Sequence, residues 1–270
     1  MKYCAFFCIF LLLFPLSGCL TNEQDQQAQL RLGTTTSMRD SGLLDVLAAE
    51  FEAIYGLQIE YVAVGTGAAL KLGENKDVDA LIVHAPQQEL DFIAAGFAPN
   101  RTQIAWNAFV LLSSEPLGQN LVETFATIAT NQTCFVSRGD NSGTHGKEQE
   151  LWKLAQEQYN ITLVEDSSGW HPVGNWYYSI GQGMGATIMM AHEKDCVTLS
   201  DRGTALQFQS KIELKRYEYS DPLLFNPYSF LSVEGPNEVG AQLFLHYLLN
   251  EGKSTIANYT INGEPAFFVS

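Results

Sequence analysis

The feature that most constrains the fold is a threefold alternation of strand, small-residue loop and helix in the N-terminal part of the chain. Strand-like apolar runs at residues 30–32, 59–64 and 80–83 are each followed by a loop and then by a helical pattern. This alternation predicts a parallel sheet whose right-handed crossovers carry helices. Ligands gather at the carboxyl ends of strands in such sheets, and this chain places small and hydroxyl-bearing residues there.

The second half of the chain repeats the pattern. Strands at residues 134–136 and 196–199 each run into a small-residue loop and a helix. We therefore predict an α/β fold of two lobes, each a mainly parallel sheet flanked by helices, with a cleft between them. The predicted divisions are a signal peptide (1–18), a linker (19–29), lobe I (30–106 with 217–270) and lobe II (107–216).

The N-terminus has the pattern of an export signal. Lys2 precedes an apolar run at residues 5–16, which is too short to span a membrane comfortably. The run ends in Leu-Ser-Gly-Cys, which resembles a bacterial lipobox with Cys19 as the lipidated residue. The alternative is an ordinary cleaved signal in which Cys19 is incidental. We predict a lipoprotein at the outer face of a membrane or in the periplasm, without deciding which membrane holds the anchor.

Two cysteines, Cys134 and Cys196, remain after the signal and the lipidated residue are set aside. In an oxidising compartment they could pair, and the alternative is two buried thiols acting as small apolar residues. The sequence has no Cys or His spacing typical of a metal site and no Cys-x-x-Cys. We expect neither a metal cation nor a cofactor.

The net charge of −15 argues against nucleic acid as a partner. Such a chain can attract an anion only through local groups, and residues 137–148 supply them. Arg138, Ser142 and Thr144 lie in a glycine-containing loop between a strand and a helix, where unpaired N–H groups favour anions. The alternative for Arg138 is a surface pair with Asp140. His145 is interpreted as structural.

A second hydroxyl-rich loop follows the first strand, and a Gly-Thr-Gly turn follows the second. One helix cap needs one hydroxyl, so four in succession favour anion binding over capping alone. The Gly-Thr-Gly segment fits a simple turn equally well. The predicted oxyanion-binding residues are Thr34, Thr35, Thr36, Ser37, Thr66, Arg138, Ser142 and Thr144.

The motifs of common enzymes are missing. The sequence has no Gly-x-Ser-x-Gly elbow and no His-Glu-x-x-His, and the glycine-rich segment at 181–185 lacks the Lys-Ser/Thr of a P-loop. We therefore predict a binding protein with no catalytic residues. The alternative is an extracytoplasmic hydrolase of phosphate or acyl esters that uses His145 or a serine at a strand end.

Several motifs together resemble the tungstate-binding proteins of ABC importers. They run in the expected order over nearly the whole mature chain: Thr34-Thr-Thr-Ser37, Asp40-Ser-Gly-Leu-Leu44, Val64-Gly-Thr-Gly67, Asp77-Val-Asp79, Val83-His-Ala-Pro86, Ser137-Arg-Gly-Asp-Asn-Ser-Gly-Thr-His145, Gly181-Gln-Gly-Met-Gly185 and Leu199-Ser-Asp-Arg-Gly-Thr204. The departures are Arg39, where small or acidic residues are commoner, and a changed end to the segment Asn226-Pro-Tyr-Ser229.

The resemblance implies a two-lobed periplasmic-binding-protein fold of the second type. It implies capture of tungstate, with molybdate as near competitor, by a monomer that delivers it to a permease and an ATPase. Tungstate offers only acceptors, whereas a protonated phosphate also needs a carboxylate to accept from it, which ranks phosphate third. A sensory binding subunit is a further alternative. The roles of Arg39 and Arg202 stay open, the latter between a pair with Asp201 and direct ligand contact.

Overall fold

The computed structural model describes residues 29–235 and 237–269. The predicted signal peptide, the lipidation at Cys19 and all but the last residue of the linker lie outside the described residues. In the part of the chain that the structure describes, no helix is long and apolar enough to cross a membrane.

The described elements alternate along the chain as the periodicity predicts. The strands are β1 (Gln29–Thr35), β2 (Gln58–Val64), β3 (Ala80–Val83), β4 (Thr102–Ser113), β5 (Phe135–Ser137), β6 (Leu163–Asp166), β7 (Gly169–Pro172), β8 (Tyr177–Ser179), β9 (Thr198–Asp201), β10 (Lys215–Tyr217), β11 (Phe225–Ser232), β12 (Thr260–Ile261) and β13 (Glu264–Pro265). The helices are α1 (Thr36–Asp40), α2 (Leu43–Tyr55), α3 (Thr66–Glu74), α4 (Pro86–Ala94), α5 (Leu121–Asn131), α6 (Gly143–Tyr159), α7 (Met184–Lys194), α8 (Arg202–Phe208), α9 (Glu238–Leu249) and α10 (Glu251–Asn258).

The sheet of lobe I is built on the three N-terminal strands. β1 lies between β2 and β3 and is parallel to both. β3 is buried at every position, as a central parallel strand requires. β11 then joins β3 antiparallel, and β4 joins β11 antiparallel. The carboxyl ends of β1, β2 and β3 therefore share one edge, from which α1, α3 and α4 begin.

The sheet of lobe II is mixed as well. β5 is parallel to β8 and forms a parallel bridge to Val197, at the start of the segment that becomes β9. β9 and β10 both pair antiparallel with the second half of β4. Cys134 and Cys196 form a disulfide with Cα atoms 4.7 Å apart, which joins β5 to the β9 segment. The pairing left open by the sequence is therefore present.

One strand, β4, belongs to both sheets. Its first part pairs with β11 up to Ala108, and its second part pairs with β9 from Phe109 onward. The apolar cores separate at the same place. Two clusters draw on residues up to Ala105 and, apart from Leu206, on residues from Tyr228 onward, and the other two draw on residues from Phe109 to Leu224. The edge of lobe II that carries Arg138 is thus held against the strand ends of lobe I.

Candidate functional site

Arg138 lies at the centre of the contacts between the lobes. It follows β5 directly and is 1 % exposed. Its Nη1 donates to Ser37 Oγ at 3.3 Å, and its Nη2 donates to Thr36 Oγ1 at 3.1 Å. Nη2 also donates to the Asp140 carboxylate at 2.5 Å. The pair with Asp140 is thus present, but its guanidinium is buried and also bonds to the Thr36 and Ser37 hydroxyls of the opposite lobe.

Several polar atoms on Arg138 and on the first turns of α3 and α6 are buried without a protein partner among the described residues. Arg138 Nε, Thr66 Oγ1 and Thr144 Oγ1 have no hydrogen-bond partner among the described residues. Thr66 is 0 % and Thr144 is 1 % exposed, so bulk water does not satisfy them. A buried donor that makes no bond costs about 1–3 kcal/mol. Such groups are the ones that a ligand with acceptor oxygens would satisfy.

Helix N-termini add partial positive charge at the same place. α3 begins at Thr66 after Gly65, whose Cα faces Asp140, since a Cβ there would lie 3.2 Å from the Asp140 carbonyl oxygen. α7 begins after Gly183, where a Cβ would lie 3.3 Å from Thr36 Oγ1. Neither helix has a side-chain cap at its first turn. Their free N–H groups favour an anion between the lobes.

Three of the predicted hydroxyls already have structural partners. Thr34 Oγ1 donates to the Ile82 carbonyl at 2.9 Å. Thr35 Oγ1 caps α1 by accepting from Met38 N, and Ser142 Oγ caps α6 by accepting from His145 N. For these residues the capping and sheet-bonding functions are present, and oxyanion contact stays a prediction. The structure brings Thr36, Ser37 and Arg138 into direct contact.

Asp201 is a residue of this region that the sequence reasoning missed. It is 0 % exposed at the end of β9 and caps α8, accepting from Thr204 N at 2.9 Å and from Thr204 Oγ1 at 2.7 Å. Burial raises the pKa of Asp201, and hydrogen bonds from Thr204 and Ser37 together with the charge of Arg138 oppose the rise. The available signal was the spacing from Asp201 to Thr204, which is that of a helix cap.

His84 is a second missed residue, at the carboxyl end of β3. It is 2 % exposed, and its Nδ1 lies 2.9 Å from Asn226 Oδ1. Asn226 Nδ2 donates to Asn107 Oδ1 at 2.8 Å, so Asn226 Oδ1 accepts and Nδ1 of His84 carries the hydrogen. Burial, and then the charge of Arg138, lower the pKa of His84 to about 4, which keeps the ring neutral. His84 Nε2 has no partner within the described ranges.

His84 also lines a cleft of about 390 Å³ between the lobes. The walls come from the first turn of α4, from one face of α6 and from the start of β11. Phe109 and Phe225 make part of the lining apolar, and Lys147 and Glu150 lie at its edge. The cleft runs beside the N-terminus of α6, where Gly143 lines it.

Arg202 and His145, for which the sequence allowed both structural and functional roles, form hydrogen bonds within the protein. Arg202 bonds to Glu218 and Glu264 and donates to the Pro265 carbonyl, so of the two alternatives left open for it, the pair with Asp201 is not formed. The reason is that Asp201 is already occupied as a helix cap. His145 accepts from Asn141 N at 3.1 Å and contacts Gln149, which fits its structural interpretation. Among the described residues, no group of three or more His, Cys, Asp and Glu could hold a metal ion.

Comparison with known proteins agrees with this arrangement. Residues 21–251 match the PBP superfamily domain. The chain belongs to the PBP superfamily. It is 34 % identical over 273 residues to the tungstate-binding protein TupA of Peptoclostridium acidaminophilum, covering 93 % of this chain and 91 % of that protein. It is 35 % identical over 248 residues to the tungstate-binding protein TupA of Campylobacter jejuni, covering 86 % and 88 %.

A solved structure of a tungstate transporter protein has a fold similar to that of this chain. The tungstate ABC transporter protein from Geobacter sulfurreducens is 40 % identical with a TM-score of 0.71, covering 86 % of this chain and 98 % of that one. The predicted fold class and the resemblance to tungstate-binding proteins of ABC importers are confirmed.

Proposed function

We propose that this PBP-superfamily member binds tungstate between its lobes, with molybdate as near competitor, and delivers it to an ABC permease and ATPase. The tungstate-binding relatives support tungstate as the substrate, because they align with nearly the whole chain. The proposed contacts are the eight residues listed in the sequence analysis.

The observation that carries the proposal is a set of unpaired, buried donors on Arg138 and on the first turns of α3 and α6. Arg138 Nε and the hydroxyls of Thr66 and Thr144 have no partners in the described structure. A fully deprotonated tetrahedral dianion offers acceptors in every direction and complements such a set. Asp140 accepts from Arg138 through one carboxylate oxygen and from Ser142 N through the other, so both oxygens already serve protein donors.

The test is calorimetric titration of the purified protein with tungstate, molybdate, sulfate and phosphate. We expect tight binding of tungstate, weaker or equal binding of molybdate, and weak binding of the other two. The absence of any heat or thermal stabilisation with tungstate at micromolar concentrations would refute the proposal.

We also propose that the protein is a monomeric lipoprotein outside the cytoplasm, anchored through Cys19, and that it is not an enzyme. The divisions at residues 18, 29, 106 and 216 are part of this proposal. Mass spectrometry of the membrane-bound protein tests the anchor, and a Cys19→Ser variant released into the soluble fraction is the expected control. Hydrolysis of phosphate or acyl esters by the purified protein would contradict the proposal that it is not an enzyme.

A further inference from the structure

Two glycines of helix α6 differ in what surrounds them. A Cβ atom on Gly143 would lie 2.4 Å from the His84 carbonyl oxygen and 3.0 Å from His84 Nδ1. A Cβ atom on Gly146, less than one turn further along the same helix, would meet nothing within 4 Å. Gly143 belongs to lobe II, and His84 follows β3 in lobe I. The first turn of α6 therefore approaches the end of β3 so closely that only a residue without a side chain fits.

This contact joins two parts of the chain that fold around different cores. α6 packs into the core of lobe II through Leu151, Trp152 and Ala155, whereas β3 packs into the cores of lobe I. Each lobe buries its apolar side chains without using the contact between Gly143 and His84. The contact therefore affects how near the lobes come to each other rather than how each lobe folds.

The peptide between His84 and Ala85 cannot retreat from α6, because it is held from within lobe I. The Ala85 N–H lies in the same peptide plane as the His84 carbonyl and donates to Glu89 Oε1 at 2.7 Å. Glu89 is 0 % exposed, and its other oxygen accepts from Arg101 Nε at 2.6 Å. The His84 ring stacks on Tyr228, with ring centroids 4.7 Å apart. The buried carboxylate of Glu89 thus fixes the carbonyl that Gly143 meets.

Gly143 lies between two of the predicted oxyanion contacts, Ser142 and Thr144. Ordinary van der Waals contact begins at 3.4 Å, which is about 1 Å more than the 2.4 Å available to a methyl group at position 143. Because the peptide after His84 is held, this room has to come from a shift of α6 away from lobe I. The groups of a binding site work only within about 0.5 Å of their positions, so such a shift weakens the grip on an anion held by both lobes.

We propose that Gly143 is a positioning residue of the oxyanion site, whose missing side chain lets lobe II close on the peptide between His84 and Ala85. The inference rests on the proposed function and concerns a residue outside the predicted contact set. Thr144 of lobe II and the hydroxyls of α1 in lobe I reach the same anion only when α6 rests on this peptide. Glu89 supports the closed arrangement from the side of lobe I.

Calorimetric titration of Gly143→Ala and Gly146→Ala with tungstate is the test. Neither glycine has a positive φ, and alanine is favoured over glycine in a helix, so both variants should fold. We expect Gly143→Ala to weaken binding about tenfold or more, as the loss of one hydrogen bond to a charged group does. Gly146→Ala should stay within about twofold of the wild-type affinity. Wild-type affinity in Gly143→Ala, or equal losses in the two variants, would overturn the proposal.

The rate constants of binding distinguish incomplete closure from a general loss of structure. The contact at Gly143 tightens after the anion has entered the cleft, so its loss acts on dissociation. We expect radiolabelled tungstate to leave Gly143→Ala faster by the same factor by which the affinity falls, with an association rate near that of the wild type. A slower association with an unchanged dissociation rate would overturn the proposal.

Hydrogen exchange of the wild-type protein gives a readout that needs no variant. Residues 84–89 lie outside the predicted contact set, so contact with the anion alone does not protect them. We expect their backbone amides to exchange more slowly when tungstate is added, because α6 then rests on this segment for longer. If the wild-type protein binds no tungstate, the proposed function fails. If it binds tungstate and residues 84–89 exchange at an unchanged rate, only the positioning inference fails.

Discussion

Replacing Arg138 by alanine removes a buried cationic group that contacts the hydroxyls of Thr36 and Ser37 in lobe I. The side chain is 1 % exposed, so its charge acts on an anion in the cleft with little screening by water. Truncating one partner of a buried, hydrogen-bonded charge pair costs about 2–5 kcal/mol. We therefore expect Arg138→Ala to weaken tungstate binding by about 30-fold to several thousandfold.

The ligand-free variant should remain folded. Its loss of three hydrogen bonds is offset in part, because the buried guanidinium no longer has to be desolvated. Asp140 is 15 % exposed at its side chain and keeps its bond from Ser142 N. Circular dichroism and thermal melting check this before the binding assay.

The assay is calorimetric titration with tungstate, and Arg202→Ala is the matched arginine control. Arg202 bonds to Glu218 and Glu264 instead of to the hydroxyl cluster, so its loss should lower stability and leave the affinity unchanged. Near-wild-type affinity in Arg138→Ala would refute the placement of the anion beside Arg138. Equal losses in both variants would show that the effect comes from general destabilisation.

Three further perturbations test other parts of the structure. Thr66→Val removes an unpaired hydroxyl and should cost about 1–3 kcal/mol of tungstate affinity by calorimetry. Thr198→Val should leave affinity unchanged and lower the melting temperature, because the buried Thr198 hydroxyl donates to the Val136 carbonyl within lobe II. Reduction of the disulfide, which spans 62 residues, should lower the free energy of unfolding by about 4 kcal/mol in urea titrations; equal stability with and without reductant would contradict this. The pKa of His84 is lowered from 6.5 to about 4, so the unfolded chain takes up the proton first and stability falls as the pH drops through this window. As the pH falls from 6.5 to 4, the free energy of unfolding of His84→Gln should fall by up to about 3 kcal/mol less than that of the wild type. Identical pH profiles in urea titrations would contradict a lowered pKa for His84.

The sequence predicts the parts of this structure that depend on local pattern. The parallel core of lobe I follows from periodicity. The end of α2 is also a local feature, since the helix stops at Gly56, a glycine with a left-handed backbone at φ 67°. Arg138 was found because a strand, a glycine-containing loop and a helix start are adjacent in the chain.

Other features depend on contacts between distant segments and leave little trace in a single sequence. The hydrogen bonds from Arg138 to Thr36 and Ser37 join the two lobes across about 100 positions of sequence, and neither segment alone indicates the other. Thr34 belongs to a hydroxyl-rich loop by sequence, but the geometry of β1 directs its hydroxyl to the Ile82 carbonyl of the neighbouring strand. The hairpin of β6 and β7 was missed because only its two ends, Leu163 and Pro172, are buried, so no apolar alternation marks it.

The strand shared by both sheets limits how the lobes can move. Because the ladders of β4 pass from β11 to β9 without a gap in the chain, the lobes are joined by paired backbone rather than by a free linker. Opening the cleft then means changing the twist of a hydrogen-bonded strand near Asn107, whose side chain is fixed by Asn226. Such a joint is elastic: it permits a rotation of small amplitude and restores one rest angle. Little of an anion's binding free energy is then spent on selecting among widely different lobe orientations.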